Sequence, residues 1–354
     1  MKTRTGEITV RVAQFTLLAK ALRPLPLGKE DASGVKHGEL SDPELRYRQR
    51  YADLAVHPEV RRRLVARARM ITAIRQYLDG LGYLEVETPV LQPQYGGAAA
   101  RPFLTHHNAL DMPLYLRIAD ELYLKRLVVG GLERVYEIGH DFRNEGIDRT
   151  HNPEFTMLEF YEAYADYDVM MSRVESLLVA AAAAVREVLC VDGISAEDRL
   201  ALPDDSLVDV VELHPPFPRI EWVRSLNAAA GMDVMALNAA DLRHLGERAG
   251  VNSVATLSRP KLLDEVFQAL VEGQIESPTF VIDYPKELSP LAKPKRGNPA
   301  LTERFELFAN GKEVANAFSE LNDPIDQRAR LEAQARLKAA GDEEAVGVDE
   351  DYLR

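Results

Sequence analysis

The chain has 354 residues, is 46% hydrophobic and 28% charged, and carries a net charge of −13. This length predicts one large domain or two, and the charge argues against a protein that coats nucleic acid non-specifically. No apolar run of about 18 residues occurs, so no membrane span is expected. The N-terminus lacks the apolar core of an export signal. The single cysteine, Cys190, is typical of a reducing cytosol, so we expect a cytoplasmic protein with Cys190 in its core.

The first 43 residues predict two short strands and a linker. Residues 7–12 and 15–26 have strand-like composition, and the second stretch ends in prolines. Residues 28–43 are polar and contain glycine, which is typical of a linker. Because two strands alone do not make a stable domain, we expect them to end a larger unit or to pack on the next part of the chain.

Nine arginines lie between Arg46 and Arg75. One interpretation is a solvated helix face, and the other is a surface that contacts RNA phosphate or a partner subunit. The sequence leaves both open. Within this stretch, apolar residues recur at helical spacing over residues 60–81 and predict a helix.

The middle of the chain predicts a strand at 83–93, a loop at 94–103 and a helix from Glu121. Adjacent glycines Gly96 and Gly97 in the loop permit close approach of the backbone to a ligand. Two strands follow, joined by residues 142–155, and then a helix at 169–189. Residues 192–271 predict short helices and turns with no spacing typical of a metal or nucleophile site.

The C-terminal third predicts a strand at 277–285 and a hairpin that turns at Asn310–Gly311, a strong hairpin signal. A helix follows, in which Asp323 is the cap, Pro324 takes the first position and Gly341 ends the helix.

Residues 142–155, "FRNEGIDRTHNPEF", contain an unusual density of charge between two strands. The planar fork of Arg143 suits a phosphate, Glu145 and Asn152 can hydrogen-bond a base, and Phe155 offers a flat face for stacking. Taken singly each signal is weak, because an arginine–glutamate pair in a hairpin is more often a surface ion pair.

Taken together, "FRNEG" and "HNPEF" resemble the second signature motif of class II aminoacyl-tRNA synthetases, and the chain is most similar to the lysyl-tRNA synthetases of subclass IIb. "GYLEVETPVLQP" resembles the first motif, whose helix and strand form the dimer interface in that family. "FELFANGKEVANAFSELNDP" resembles later core strands. The resemblance implies an α+β fold, with an antiparallel sheet of six or seven strands flanked by helices.

The resemblance implies a nucleotide site for ATP as substrate. Arg143 would hold the α-phosphate and stabilise charge as the carboxylate of lysine attacks it, which makes it the catalytic residue. Phe155 would stack beneath the adenine. Residues around the adenine and phosphates would be Glu145, His151 and Asn152, and the Mg²⁺ ligands, which also contact ATP, would be Glu306 and Glu313.

The resemblance also implies a lysine site with negative charge for both ends of the substrate. Glu121 would bind the α-ammonium and Glu320 the ε-ammonium, and a neutral isostere would leave Glu320 unpaired at a cost of about 3–5 kcal/mol. The loop around Gly97 would close over the amino acid. The residues that complete the site would be Glu159, Tyr161 and Asn316.

Two parts of the family pattern are not matched. Residues 1–27 resemble only the last strands of an anticodon-binding OB-fold, residues 28–43 are expected to be a linker, and residues 44–354 resemble a catalytic domain that ends before the third motif. That motif holds an arginine for the γ-phosphate. We therefore expect a truncated chain with poor activity, which lysine-dependent pyrophosphate exchange would test.

The expected function is lysine–tRNA ligase, with lysine, ATP, lysine tRNA and a second copy of the chain as partners. One alternative is a related lysine ligase that modifies a translation elongation factor, which the strands at 7–26 disfavour. The other is a non-catalytic binding or regulatory module that keeps the fold, which the retained site residues disfavour.

Overall fold

The computed structural model divides the chain into two compact units, Met1–Arg67 and Ala68–Arg354. The residues that it describes are 6, 9–10, 12–20, 22–33, 36–148, 150–189, 213–339 and 347–354. Cys190 and Gly341, for which a core position and a helix end were predicted, lie outside these residues. No helix in the described part of the chain is long and apolar enough to cross a membrane.

The first unit begins differently from the prediction. Of the described residues between 9 and 26, none belongs to a strand, so the strand predicted at 15–26 is wrong. The strands instead are β1 (Leu27–Glu30) and β2 (Lys36–Glu39), which pair antiparallel within the predicted linker. The apolar residues that suggested a strand, such as Phe15 and Leu18, are exposed.

Three helices follow the hairpin. They are α1 (Pro43–Arg48), α2 (Arg50–Val56) and α3 (Pro58–Gly80). Asp42 begins α1, since its Oδ1 accepts a hydrogen bond from the backbone N–H of Leu45 at 2.8 Å. The predicted helix at 60–81 is confirmed as α3, and the boundary between the two units falls within it.

Asp53 in α2 is fully buried, and three basic side chains contact its carboxylate. Its oxygens accept from Arg46 Nε at 2.7 Å and from Arg50 Nη1, and one lies 2.8 Å from His57 Nδ1. Burial raises the pKa of Asp53, but the hydrogen bonds from these partners outweigh it and hold the pKa below 3.8. Two of the nine arginines therefore hold the unit together internally, whereas their sequence spacing suggested a surface.

We expect Asp53→Ala to destabilise the protein by about 3 kcal/mol, because it leaves several basic groups together without their buried counter-charge. The loss should diminish below about pH 4, where the aspartate becomes protonated in the unfolded chain and its contribution falls. Urea unfolding at pH 7 and pH 3.5 measures both effects. Glu44→Ala, which removes the exposed Glu44–Arg48 pair, is the matched control and should cost less than about 1 kcal/mol.

The second unit contains the hairpin predicted around residues 142–155. Its strands are β7 (Arg134–Phe142) and β8 (Glu154–Glu162), antiparallel with Asp141 opposite Phe155. The short β3 (Leu84–Glu85) pairs parallel to β7 and completes a three-stranded sheet. A separate antiparallel sheet contains β4 (Leu91–Gln92), β5 (Leu104–His107) and β6 (Met112–Leu116).

A four-stranded sheet carries the other predicted hairpin. The order is β14 (Lys312–Phe318), β13 (Arg304–Ala309), β10 (Thr279–Ile282) and β9 (Arg219–Glu221), with β9 and β10 parallel. The turn at Asn310–Gly311 is confirmed, and both residues have positive φ, which favours asparagine and glycine. A further pair joins β11 (Pro294–Lys295) and β12 (Asn298–Thr302).

The α+β class is confirmed. The described residues do not form the predicted single antiparallel sheet of six or seven strands. Their strands divide among separate sheets, and two of these sheets each contain one parallel pair. Short edge strands such as β3 and β9 explain the difference, because two or three residues cannot extend hydrogen bonding across the whole layer.

The helices of the second unit pack on these sheets. Helix α4 (Glu121–Val129) packs against β7 and β8 and helps to position the site. Helix α5 (Tyr167–Leu189) also helps to position it, and the residues of α5 that pack with Phe280 and Phe305 are Met170, Met171 and Val174. Other helices surround Trp222 in a second core cluster. They are α6 (Trp222–Ala230), α7 (Ala239–Ala249) and α8 (Arg259–Leu270). The C-terminal helix α9 (Pro324–Ala339) begins as predicted, with Asp323 Oδ1 accepting from the backbone N–H of Ile325 at 2.9 Å.

Candidate active site

An ammonium group lies between two carboxylates at the start of α4. Glu121 is the first residue of this helix and Lys125 lies one turn later on the same face, so the two side chains meet. Lys125 Nζ is 2.5 Å from Glu121 Oε1 and 2.6 Å from Glu320 Oε2. The Glu320 side chain is 39% exposed, but the oxygen that faces Lys125 is buried. The structure thus brings Glu121 and Glu320 to one positive charge.

Aromatic rings form the walls of this acidic pocket. The centroid of Phe318 lies 5.0 Å from Lys125 Nζ, and those of Tyr161 and Tyr352 each lie 5.9 Å away. Electron-rich ring faces attract a cation and provide apolar contact for its alkyl chain. Phe318 and Tyr352 were not predicted as site residues. Phe318 could have been found from its place two residues before Glu320, but Tyr352 reaches the pocket from a distant part of the sequence.

Glu159 supports the pocket from β8. Its Oε2 accepts from the hydroxyl of Tyr161 at 2.9 Å, and its Oε1 accepts from the backbone N–H of Asp120 at 3.0 Å. Burial, and then the nearby charge of Glu121, raises the pKa of Glu159 to about 7. Glu159 therefore fixes the Tyr161 ring and the start of α4 relative to β8.

Gly97 lies directly against Glu121. Its φ of +92° belongs to the region that favours glycine, and a Cβ there would be 3.0 Å from Glu121 Cβ and 3.1 Å from Ala119 Cβ. The glycine was predicted to permit close approach of the backbone to a ligand, which stays a prediction; in the structure the close neighbours are Glu121 and Ala119. The loop of residues 94–103 thus reaches the side of the acidic pocket.

A buried arginine beneath the pocket was missed by the sequence reasoning. Arg117 is 2% exposed, and its guanidinium lies 2.6 Å from Glu137, 2.8 Å from Asp120 and 3.1 Å from Asp141. Alternation in β7 turns residues 137, 139 and 141 to the same face. Gly139 lies between the two acidic positions, and a side chain there would collide with Arg117 Nη2.

Asp120, Asp141 and Glu159 place carboxylate oxygens within 4.8 Å of one another. Burial, and then the charge of Asp141, raises the pKa of Asp120 to about 9. Arg117 lowers the pKa of both aspartates and so offsets part of the negative charge of this cluster. The position of the cluster between β7 and α4 could have been suspected from the polar residues on β7, but their buried environment depends on tertiary packing.

Arg143 lies where β7 ends and the hairpin loop begins. Its guanidinium carbon is 5.1 Å from the centroid of Phe155, and its Nε and Nη2 each lie 3.4 Å from the carbonyl oxygen of Ile118. Antiparallel pairing of β7 with β8 brings Arg143 and Phe155 together, and the two strands joined by residues 142–155 were predicted. Arg143 as a whole is half-buried.

The hairpin loop forms an open surface pocket lined by Glu145, Asp148, His151 and their neighbours. Glu145 Oε1 accepts from the backbone N–H of Arg101 at 3.4 Å, and His151 Nδ1 is 2.7 Å from Asp148 Oδ2. Asn152 Nδ2 donates to the carbonyl of Glu154 at 2.6 Å. The polar atoms that sequence reasoning assigned to a nucleotide therefore hold the loop's own shape in this structure.

A second pair of acidic residues lies on the β13–β14 hairpin. Glu306 accepts from Arg304 Nη2, from Asn316 Nδ2 at 3.2 Å and from the hydroxyl of Tyr284 at 2.8 Å. The structure thus brings Asn316 to Glu306, whereas the sequence reasoning placed it beside Glu320. Arg304 and Tyr284 are contacts that the sequence did not suggest.

The charges of Glu306 and Arg143 both influence the pKa of Glu313. Although Glu313 is exposed, desolvation by the surrounding chain and then the charge of Glu306 raise its pKa to about 7, while Arg143 and Arg304 act in the opposite direction. The influence of Arg143 connects this acidic pair to the β7–β8 hairpin. Asp264 and Glu272, which were not predicted, also have pKa values raised by desolvation and then by Glu306, to about 6 and 7.

Three lysine–tRNA ligases have sequences similar to that of this chain. A lysine–tRNA ligase of Moorella thermoacetica is 52% identical over 354 residues, and those of Christiangramia forsetii and Porphyromonas gingivalis are 50% and 49% identical over 353 residues. Each similarity covers 100% of this chain but 68%, 60% and 59% of the respective relative. The family model described as tRNA synthetases class II (D, K and N) matches residues 42–354. The chain therefore belongs to the class II tRNA synthetases of the D, K and N group.

Proposed function

We propose that the chain binds L-lysine and ATP and joins them as lysyl-adenylate, which the whole protein transfers to lysine tRNA. The observation that carries the proposal is the acidic pocket, in which Glu121 and Glu320 hold an alkylammonium between aromatic rings. These carboxylates and rings already surround the ammonium of one lysine side chain, so they offer the charge and the aromatic contact that a lysine ligand requires.

Arg143 is the proposed catalytic residue. When the carboxylate of lysine attacks the α-phosphorus of ATP, negative charge increases on the phosphate oxygens and pyrophosphate leaves. A half-buried guanidinium would stabilise that charge, and Phe155, whose ring lies next to Arg143, is proposed to stack on the adenine. Glu145, His151 and Asn152 are proposed to contact the nucleotide, which requires the loop to exchange its own hydrogen bonds for those of the ligand.

Glu306 and Glu313 are the proposed ligands of Mg²⁺, because carboxylate oxygens suit this hard cation. Bound there, Mg²⁺ would neutralise charge on the phosphates of ATP. Desolvation and then the charge of Glu306 raise the pKa of Glu313, and a bound cation would act in the opposite direction. Glu306 already forms an ion pair with Arg304, so the ion would have to share Glu306 with that arginine or replace it.

The larger assembly is proposed by family resemblance. Two copies of the chain would associate through the first motif, which comprises α3 and the strands after it. Residues 1–27 would belong to an anticodon-binding OB-fold and residues 44–354 to the catalytic domain, acting in the cytoplasm. The exposed α3 arginines Arg61, Arg62 and Arg69 are then placed to contact tRNA or the second copy.

Calorimetric titration of the chain with L-lysine tests the proposal independently of catalysis. We expect lysine to bind roughly 10- to 150-fold more tightly than norleucine, which has the same carbon chain but no ε-ammonium to contact Glu320. Equal affinity for the two amino acids, or binding of neither, would contradict the lysine assignment. Lysine-dependent exchange of pyrophosphate into ATP then reports whether adenylate forms.

A further inference from the structure

The acidic pocket is filled by the protein's own side chain. Lys125 Nζ lies within hydrogen-bonding distance of both carboxylates, and its side chain is only 8% exposed. A second ammonium cannot contact the buried Oε2 of Glu320 while Lys125 Nζ is 2.6 Å from it, because the two cations would overlap and repel each other. Ligand binding at Glu320 therefore requires Lys125 to move.

The charges around Lys125 keep it positive in this position. Burial by itself lowers the pKa of Lys125, but attraction from Glu121 and then from Glu320 outweighs burial and raises the pKa above its usual range. Phe318, Tyr161 and Tyr352 surround the ammonium. Lys125 thus forms an ion pair with each carboxylate, although burial still raises the pKa of Glu320 to about 7.

Geometry also gives Lys125 a way to withdraw. Its partner Glu121 is one turn earlier in the same helix, so this contact can persist in several rotamers of the four-carbon side chain. Glu320 follows β14, on a different segment, so a rotation of Lys125 can break that contact alone. The contact with Glu320 is the one that an incoming ammonium would replace.

We propose that Lys125 is an internal competitor for Glu320, displaced when the ammonium of a ligand takes its place. The inference rests on the proposed function, in which that ligand is lysine. Binding is then an exchange of one ammonium for another at the same carboxylate. Lys125 therefore lowers the affinity for lysine, because its own contact with Glu320 must break before the ligand ammonium can form one.

Titration with L-lysine of the full chain and two variants tests this. We expect Lys125→Met to bind lysine about 10-fold more tightly, since methionine fits the aromatic surroundings without competing for the carboxylate. Lys125→Arg retains the competing charge and should remain within about 3-fold of the original affinity. Unchanged or weaker binding by Lys125→Met would overturn the proposal.

A double variant shows whether the gain acts through Glu320. In Glu320→Gln the contested carboxylate is absent, so adding Lys125→Met should give a much smaller gain than it gives in the original chain. An equal gain in both backgrounds would overturn the competition. If the original chain does not bind lysine at all, the proposed function fails instead.

A crystal structure of the unaltered chain with lysine gives a test that does not depend on the folding of any variant. Lys125 Nζ should lie beyond hydrogen-bonding distance of Glu320, more than about 4 Å away, with the ligand ammonium in its place. A complex in which Lys125 still contacts Glu320 would overturn the proposal even if lysine binds elsewhere in the pocket.

Discussion

Glu320→Gln is expected to weaken L-lysine binding by roughly 10- to 150-fold. The substitution preserves the size of the side chain but removes the negative charge, so one charge-assisted hydrogen bond, worth about 1.5–3 kcal/mol, is lost. The oxygen concerned is buried in the acidic pocket, where water cannot easily replace it. Titration calorimetry at neutral pH measures the change directly.

Two comparisons make this result specific. Glu133→Gln removes an exposed carboxylate in the connection before β7 and should leave lysine affinity unchanged. Norleucine should bind Glu320→Gln no more weakly than it binds the original chain, because it has no ammonium to lose. A Glu320→Gln variant that binds lysine as before would show that the pocket recognises another ligand or another part of lysine.

Local sequence determined the parts of the site that lie close together in the chain. Arg143 and Phe155 meet because the residues between them form a loop that joins two antiparallel strands, and both strands were predicted from the sequence. Glu121 and Lys125 meet through the periodicity of a helix. In both cases backbone geometry alone, strand pairing or helical repeat, fixes the distance between side chains.

Tertiary packing determined the rest. The sequence assigned Glu121 and Glu320 to opposite ends of a ligand, but the structure brings both to one ammonium, since the segment after β14 lies against α4. Likewise, nothing in the spacing of Arg117 indicates that it is buried among carboxylates of β7. The strand predicted at 15–26 failed because a strand needs a partner strand, which apolar composition alone does not supply.

Arg117→Leu is expected to destabilise the fold by about 3–5 kcal/mol. The side chain is 2% exposed and lies beside Glu137, Asp120 and Asp141, so its removal leaves buried carboxylates without their only counter-charge among these contacts. The guanidinium also donates from Nε to the carbonyl of His140 at 3.0 Å. Denaturant unfolding gives the free-energy difference, and a loss below about 1 kcal/mol would show that the carboxylates are not charged together.

The dependence of that loss on pH identifies its cause. Burial and the neighbouring Asp141 raise the pKa of Asp120 to about 9, so the folded state binds a proton that the unfolded state releases above its ordinary value of 3.8. Stability from this group therefore falls as pH rises between those values. Asp120 keeps its proton in the folded state from pH 5.5 to pH 8 with or without Arg117, so a pH-dependent loss has to come from Asp141, whose pKa Arg117 also lowers. Removing Arg117 extends the pH range over which folded Asp141 holds a proton, so Arg117→Leu should lose more stability at pH 8 than at pH 5.5.

Two further variants separate charge from packing. Arg117→Lys keeps the charge but not the planar fork, so its loss should be smaller and should change less with pH than that of Arg117→Leu. Arg75→Leu breaks a partly exposed pair with Glu85 and should cost less than about 1 kcal/mol at either pH. If Arg117→Leu loses the same stability at pH 5.5 and pH 8, the side chain contributes through packing, and the buried carboxylates beneath the acidic pocket remain protonated throughout that range.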